Sequence, residues 1–252
     1  MIIIPQIETP LSESYINFEE NLSKLIEGIK YRVRKFGLLD EENKAIDSYP
    51  VVIEQNFGIN ALLLCKDLRD RYSNLSIIYA FNMRDKNRVA ILSDLITLKQ
   101  LGIKDIIISE GLHPLKTIFY AAKPVYDIDV LGLSSIIKSG SAYLKADNYA
   151  NNFSLFNLGV VVAVSTPVDF FKIKKLSKIG ADRFVINYFG NNIDINIINY
   201  IKAEKRSVFI YANESDIKSS LEEFVKKNLE LNADGIIIKI LNTKSNIFTQ
   251  DS

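Results

Sequence analysis

The amino-acid sequence predicts an α/β protein folded as a (β/α)8 (TIM) barrel, with a single domain over residues 1–252 and a long loop insertion after the fourth strand. Three observations lead to this fold class. About eight short apolar runs recur along the chain, segments with helical spacing separate them, and no linker or change of composition divides the sequence. Alternating strands and helices indicate a parallel sheet, and about eight such units favour its closure into a barrel.

The predicted strands are apolar at successive positions rather than at alternate ones. A strand of this kind is buried on both faces, as in a parallel sheet covered by helices, and differs from the half-solvated strand of an antiparallel sheet. The runs are Ile2–Ile7, Val51–Glu54, Ser76–Phe81, Asp105–Ser109, Gly159–Ser165, Arg183–Asn187, Ser207–Ala212 and Gly235–Leu241.

The predicted helices lie between these strands and carry apolar residues at intervals of three and four, which places them on one face of a helix. The stripes are Phe18, Leu22, Leu25, Ile26 and Ile29; Leu62 and Leu63, followed by the charged Lys66 and Arg69; Ile91, Leu95, Leu98 and Leu101; Phe170, Ile173 and Leu176; Ile197, Ile198 and Ile201; and Ile217, Leu221, Phe224 and Val225.

Two insertions interrupt this alternation. Lys30 to Pro50 is charged and predicts a loop or a helical extension before the second strand. Leu112 to Leu158 is longer, follows the fourth strand, and contains a predicted helix over Ile128–Lys138 and an Asn-rich stretch. Long insertions at the C-terminal ends of barrel strands commonly carry function, so we expect the second one to contribute to a site.

Composition excludes several classes of function. A net charge of +1 and an isoelectric point near 7.7 do not favour binding to nucleic acid or to an anionic membrane. Cys65 is the only cysteine and lies in an apolar run, so it predicts inert core packing and no metal site is expected. No segment has the features of a signal peptide or a membrane span. We therefore expect a soluble, cytoplasmic protein.

Polar residues at the end of the fourth strand are the first candidates for a site. Gly111 and Pro114 flank His113, the only histidine of the chain, directly after the apolar run Asp105–Ser109. Open α/β sheets and barrels place their chemistry at this end of a strand. His113 either contacts a ligand there or caps the loop before Pro114.

The order of motifs around this strand resembles a known family. Arg84-Asp85-x-Asn87-Arg88, a helix, an apolar strand, Gly111-x-His113-Pro114 and the segment from Ala122 to Asp129 follow one another. This order resembles the methylenetetrahydrofolate reductase family, especially its short archaeal and bacterial members. The segment Gly180–Phe189 resembles a second motif of that family, and the similarity extends from the first strand to about Phe189.

The resemblance implies a flavin-dependent reductase. Hydride would pass from NADH or NADPH to a flavin, usually FAD, and then to methylenetetrahydrofolate or a related archaeal pterin. It implies Glu8 as a general acid, Asn187 as the amide that orients the substrate, and Tyr188 as a further substrate contact. It also implies a homo-oligomer. The implied cofactor-binding residues are Arg84, Asp85, Gly111, His113, Lys123, Tyr126, Asp129 and Ser165.

Several of these residues also have a purely structural interpretation. Arg84 and Asp85 could form a surface ion pair before a helix. Ser165, Thr166 and Pro167 either line the pocket or cap the next helix, and the cap is favoured.

Two positions depart from the family pattern and leave other functions open. Glu110 stands where bacterial members have an arginine, and Leu112 stands where members have an aspartate near the reacting rings. One alternative is FMN in place of FAD, and another is a reductase that works without flavin. A third is a catalytically silent pterin-binding paralogue or the partner subunit of an active reductase.

Overall fold

A computed structural model describes residues 2–8, 50–55, 60–72, 75–111, 121–139, 153–164, 166–187, 193–213, 215, 217 and 221–240. Eight parallel strands pair in sequence order and close into a barrel through β1 and β8, so the predicted (β/α)8 fold is confirmed. The strands are β1 (Ile2–Glu8), β2 (Pro50–Glu54), β3 (Ser76–Asn82), β4 (Asp105–Ser109), β5 (Asn157–Val162), β6 (Arg183–Asn187), β7 (Ser207–Asn213) and β8 (Gly235–Ile240).

Six described helices lie between the strands, together with a short 3-10 turn over Met83–Asp85. They are α1 (Ala61–Arg71), α2 (Arg88–Gln100), α3 (Val130–Ser139), α4 (Pro167–Ile179), α5 (Ile195–Ala203) and α6 (Leu221–Glu230). No helix in the described ranges is long and apolar enough to cross a membrane. The predicted stripe over Phe18–Ile29 and the charged insertion from Lys30 to Tyr49 lie outside the described residues.

Alternate residues of each strand belong to two separate apolar clusters. On β8, Ile236 and Ile238 pack with the helices in the larger cluster, whereas Ile237 lies inside the barrel. The inner cluster contains Ile4, Val52, Ile78, Ala80, Ile107, Val185, Phe209 and Ile237. Because side chains alternate between the two faces of a strand, residues two positions beyond this inner cluster point toward the C-terminal opening of the barrel.

Two large side chains, Arg183 and Phe209, occupy much of the N-terminal opening of the barrel, and each packs against a glycine. Arg183 forms an ion pair with Asp105 at 2.5 Å, and its guanidinium lies 5.8 Å from the ring centre of Phe209. A side chain at Gly159 would contact Arg183, and one at Gly235 would contact Phe209. A cavity of about 240 Å³ remains at this end. This end of a (β/α)8 barrel generally serves stability.

Two aspartates hold the starts of strands to neighbouring helices. Asp182, just before β6, accepts hydrogen bonds from the backbone N–H of Leu158 at 2.7 Å and pairs with Lys138 of α3 at 2.5 Å. Asp234, just before β8, accepts from the N–H of Val208 at 2.7 Å and from Nζ of Lys202 at 2.6 Å. Each carboxylate therefore ties a strand to the preceding strand and to a helix.

Helix caps follow or flank two elements whose bounds differ from the predicted ones. The predicted fifth strand, Gly159–Ser165, instead ends at Val162, before the N-cap of α4. Thr166 caps α4 in a reciprocal capping box with Asp169, which confirms the predicted cap at Thr166. The helix predicted over Ile128–Lys138 begins at Val130, because Asp129 caps it and accepts a hydrogen bond from the N–H of Gly132.

Cys65 lies fully buried in the larger core cluster, as its apolar surroundings in the sequence predict. Burial raises the pKa of its thiol to about 12, because the thiolate would lose its hydration. The thiol is therefore a core packing group and is not poised for nucleophilic chemistry.

Candidate functional site

Polar side chains line the C-terminal opening of the barrel. We call them the mouth cluster: Gln6, Glu54, Asn82, Ser109, Tyr211 and Lys239. Each lies two positions beyond one of the apolar residues of the inner cluster, and Tyr211 also packs against that cluster. Backbone pairing sets Gln6 beside Lys239 and Asn82 beside Ser109. The interior thus changes from apolar to polar at the end where barrel enzymes carry their chemistry.

The carboxylate of Glu54 is the centre of the mouth cluster. Its Oε2 accepts a hydrogen bond from Nε2 of Gln6 at 2.8 Å and faces Nζ of Lys239 at 3.3 Å. Its Oε1 accepts from Nδ2 of Asn82 at 3.2 Å. The side chains of Glu54 and Lys239 are only 16% and 18% exposed. Donors from three other strands therefore hold one partly buried carboxylate at the end of β2.

Neighbouring groups orient these donors. Oγ of Ser109 donates to Oδ1 of Asn82 at 2.8 Å, which directs the amide nitrogen of Asn82 toward Glu54. Gln6 is buried, and its Nε2 also lies 3.5 Å from the hydroxyl oxygen of Tyr211. A carboxylate whose donors are themselves fixed keeps its position while a substrate binds or leaves.

Charged residues form a rim beside the mouth cluster. Glu110 follows β4 and pairs with Lys172 of α4 at 2.5 Å and with Arg84 at 3.9 Å. The guanidinium of Arg84 lies 5.5 Å from the ring centre of Tyr126. Gly111 has a φ of +77°, and a Cβ there would lie 3.3 Å from Cβ of Asn82. A glycine at this position therefore lets the loop after β4 pass close to the mouth cluster.

Among the described residues that were assigned to a flavin, Arg84 lies beside Gly111 and Tyr126. Arg84 and Gly111 lie near Asn82, and Asp85 ends the 3-10 turn. Lys123, Tyr126 and Asp129 are exposed on the segment before α3, where Asp129 serves as a helix cap. Leu112, His113, Ser165 and Tyr188 lie outside the described residues.

The two predicted catalytic positions are at the ends of strands. Asn187 ends β6, two positions beyond the inward Val185, and its backbone pairs with Tyr211. The backbone of Glu8 ends β1 and pairs with Glu54. Both positions therefore lie at the C-terminal end of the barrel, on strands that also contribute to or flank the mouth cluster.

Sequence reasoning missed Glu54, Asn82 and Lys239 as a group. The available signal was a single polar residue at the end of an apolar strand, such as Glu54, which lies two positions after Val52.

Comparisons with known proteins support the fold. No family model matches the chain, and no curated protein matches it. The chain is similar to solved structures of the tryptophan synthase α2β2 complex from the hyperthermophile Pyrococcus furiosus, at 14% identity and a TM-score of 0.55, over 94% of this chain and 86% of the other. A mutant alpha-subunit from the same organism matches over the same shares at 14% identity and a TM-score of 0.53. Similarity at this level of identity shows the (β/α)8 fold.

These comparisons contradict the methylenetetrahydrofolate reductase assignment. The similar structures are tryptophan synthase alpha-subunits, so the assignment is wrong, and so are the oxidoreductase and one-carbon-metabolism functions that followed from it. The expected FAD or FMN and the NADH or NADPH are contradicted for the same reason. The folate-like pterin substrate is without support.

Two acidic residues of the segment that suggested that family have structural roles. Asp127 accepts a hydrogen bond from the backbone N–H of Arg88 at 2.7 Å and pairs with its guanidinium, and Asp129 caps α3. These contacts fasten one strand-to-helix connection to the next. Asp127 and Asp129 therefore have structural roles in this chain, and such roles do not identify a reaction.

Proposed function

We propose that this protein is an enzyme of the lyase type, which breaks or forms a bond in a small polar molecule by moving a proton with Glu54. The observation that carries the proposal is the Glu54 carboxylate at the end of β2, held by Gln6, Asn82 and Lys239 from three other strands. Its contacts fix both oxygens while the carboxylate remains at the open end of the barrel.

The surrounding donors suit the charge changes of such a reaction. A lyase step needs a base that removes a proton and groups that stabilise the negative charge left on the substrate. Glu54 supplies the base, and the amides of Gln6 and Asn82 with the ammonium of Lys239 supply the positive potential. A positioned acid–base group contributes roughly 100- to 10,000-fold to a rate, and preorganised donors add to it.

The similar solved structures support this class of reaction. They are tryptophan synthase alpha-subunits, which favours lyase chemistry over hydride transfer for a barrel of this shape. The assignment of roles rests on the residues of this chain, because fold similarity alone does not identify a reaction.

The proposal is tested by proton exchange in D2O. We expect the wild-type protein to exchange the α-protons of at least one of pyruvate, glycolaldehyde and dihydroxyacetone faster than buffer does, as followed by proton NMR. Glu54→Gln should lower the rate roughly 100-fold or more, because the amide keeps the shape but cannot accept the proton. Glu230→Gln, at an exposed position at the end of α6, is the matched control and should keep the wild-type rate.

Absence of exchange by the wild-type protein with all three compounds would contradict the proposal. Equal rates for the wild-type protein and a folded Glu54→Gln variant would contradict the role of Glu54. Thermal unfolding of each variant establishes that it is folded.

Asn187 is proposed as a substrate contact at the same opening. Its register beside Tyr211 and beyond Val185 supports this role, since an amide offers both a donor and an acceptor. Glu8 is proposed as a second acid–base residue on the evidence of its backbone position beside Glu54. Asn187→Ala should weaken binding with little effect on the exchange rate at saturation.

A second copy of this chain is proposed as a partner. Val168 and Phe171 lie one helical turn apart on α4 and are 74% and 64% exposed, which is unusual for large apolar residues on one helix face. Light scattering should report an oligomer for the wild-type protein and a smaller species for Phe171→Asp. A monomeric wild-type protein would contradict this proposal. If the protein forms a stable complex with a different chain and none with itself, the result would indicate a partner subunit instead.

A further inference from the structure

We propose that Lys239 forms a covalent imine with the substrate, so that the substrate is an aldehyde or a ketone. The inference rests on the proposed lyase function and assigns its substrate class. It starts from the position of Lys239 inside the barrel. Its neighbours on β8, Ile236 and Ile238, belong to the larger cluster that packs with the helices, and Ile237 belongs to the inner cluster. Lys239 therefore occupies an inward position, where a lysine is costly to bury.

The ion pairs at the two ends of the barrel differ in a chemically useful way. In the described part of the barrel, the N-terminal end contains Arg183 paired with Asp105, and the C-terminal end contains Lys239 paired with Glu54. Arginine stays protonated in proteins, so it suits a permanent structural pair. Lysine can lose its proton and act as a nucleophile. The end that carries the proposed chemistry thus holds the cation able to react.

The contacts around Nζ supply the proton transfers that an imine requires. Nζ of Lys239 lies 3.3 Å from Oε2 of Glu54, so the carboxylate can take a proton from the ammonium. The nitrogen lone pair then attacks the carbonyl carbon, and the electron pair of the C=O bond moves to oxygen. That oxygen receives one proton from the attacking nitrogen and one from Glu54. Loss of that oxygen as water leaves a protonated C=N bond.

The balance of this step is an ammonium and a carbonyl compound giving an iminium and one water, without an oxidant or reductant. In the following cleavage, the β-hydroxyl group of the substrate transfers its proton to the carboxylate of Glu54. The carbon–carbon bond breaks, and its electron pair moves onto the iminium nitrogen. An imine is thus an electron sink of the kind that a lyase needs.

The test is reductive trapping on the wild-type protein. Pyruvate or glycolaldehyde is added with sodium cyanoborohydride, and peptide mass spectrometry locates the alkylated lysines. Lys239 is only 18% exposed, so unselective labelling would favour surface lysines such as Lys175 on α4, which is exposed. We expect at least about tenfold more label on Lys239 than on Lys175, because only an activated amine can outweigh its burial.

The proposal would be overturned if, with both pyruvate and glycolaldehyde, the amount of label on Lys239 were equal to or lower than the amount on Lys175. Lys239→Arg serves as the companion variant, since it keeps the positive charge beside Glu54 but cannot form an imine. It should lose proton exchange along with the trapped adduct. Exchange that persists in Lys239→Arg and is lost in Glu54→Gln would refute the imine while leaving the proposed function intact. Trapping at Lys239 together with a proton-exchange rate that Glu54→Gln does not change would support the imine and refute the proposed role of Glu54.

Discussion

Gly235 at the start of β8 should be one of the most sensitive positions for stability. A Cβ there would lie 2.5 Å from Cε1 of Phe209 and 2.8 Å from the carbonyl oxygen of Ile2. The Ile2 oxygen belongs to a strand paired with β8, and the Phe209 ring is held beside the guanidinium of Arg183. Neither neighbour can move away freely, so a single added methyl group overpacks the end of the barrel.

Gly235→Ala should therefore lower the free energy of unfolding by about 3 kcal/mol, the upper part of the range for overpacked cores. For a chain of this size that corresponds to a fall in Tm of about 9 °C. Denaturant unfolding followed by circular dichroism measures the loss. The proton-exchange rate of the folded variant should not change, because Gly235 and Lys239 are four residues apart, about 13 Å along the strand.

Phe209→Leu provides the control for this interpretation, since it removes the ring atoms nearest to the added methyl group. The double variant should lose at least about 1 kcal/mol less than the sum of the two single changes, as expected for residues in contact. A Gly235→Ala variant within about 0.5 kcal/mol of wild type, or strictly additive losses, would refute the reasoning.

Two further predictions concern the core and a helix end. Burial raises the pKa of Cys65 to about 12 from about 8.5 in an unfolded chain, so its contribution to stability is complete below about pH 8.5 and is lost as pH rises toward 12. Cys65→Ala should flatten that alkaline loss in denaturant titrations, and rapid reaction of the native protein with a thiol reagent at pH 8 would contradict the burial. Thr166→Ala removes the capping box of α4 and should cost about 1 kcal/mol, whereas Thr166→Ser should cost less. Equal Tm values for the wild-type protein and Thr166→Ala would rule out a stabilising cap.

Local patterns predicted most of the secondary structure. The run Arg183–Asn187 is a strand with the predicted bounds, because a short β-branched run between a helix-ending glycine and polar residues has few alternatives. Thr166 before Pro167 predicted a helix start because capping depends only on nearby residues. The predicted end of β5 was wrong because the apolar sequence pattern extends to about Ser165, whereas the pairing of this strand ends at Val162.

The sequence by itself determined the alternation of strands and helices, the closed barrel and the burial of Cys65, since each depends on local periodicity or on the number of repeated units. Only the tertiary structure brought Gln6, Glu54, Asn82 and Lys239 to one carboxylate. These residues come from four strands spread along the chain, and the register between β1 and β8 decides that Lys239 lies beside Gln6. Proximity of this kind depends on long-range strand pairing, which no local pattern encodes. Asp127 and Asp129 of the segment that suggested a reductase have structural roles here, one holding Arg88 and the other capping α3.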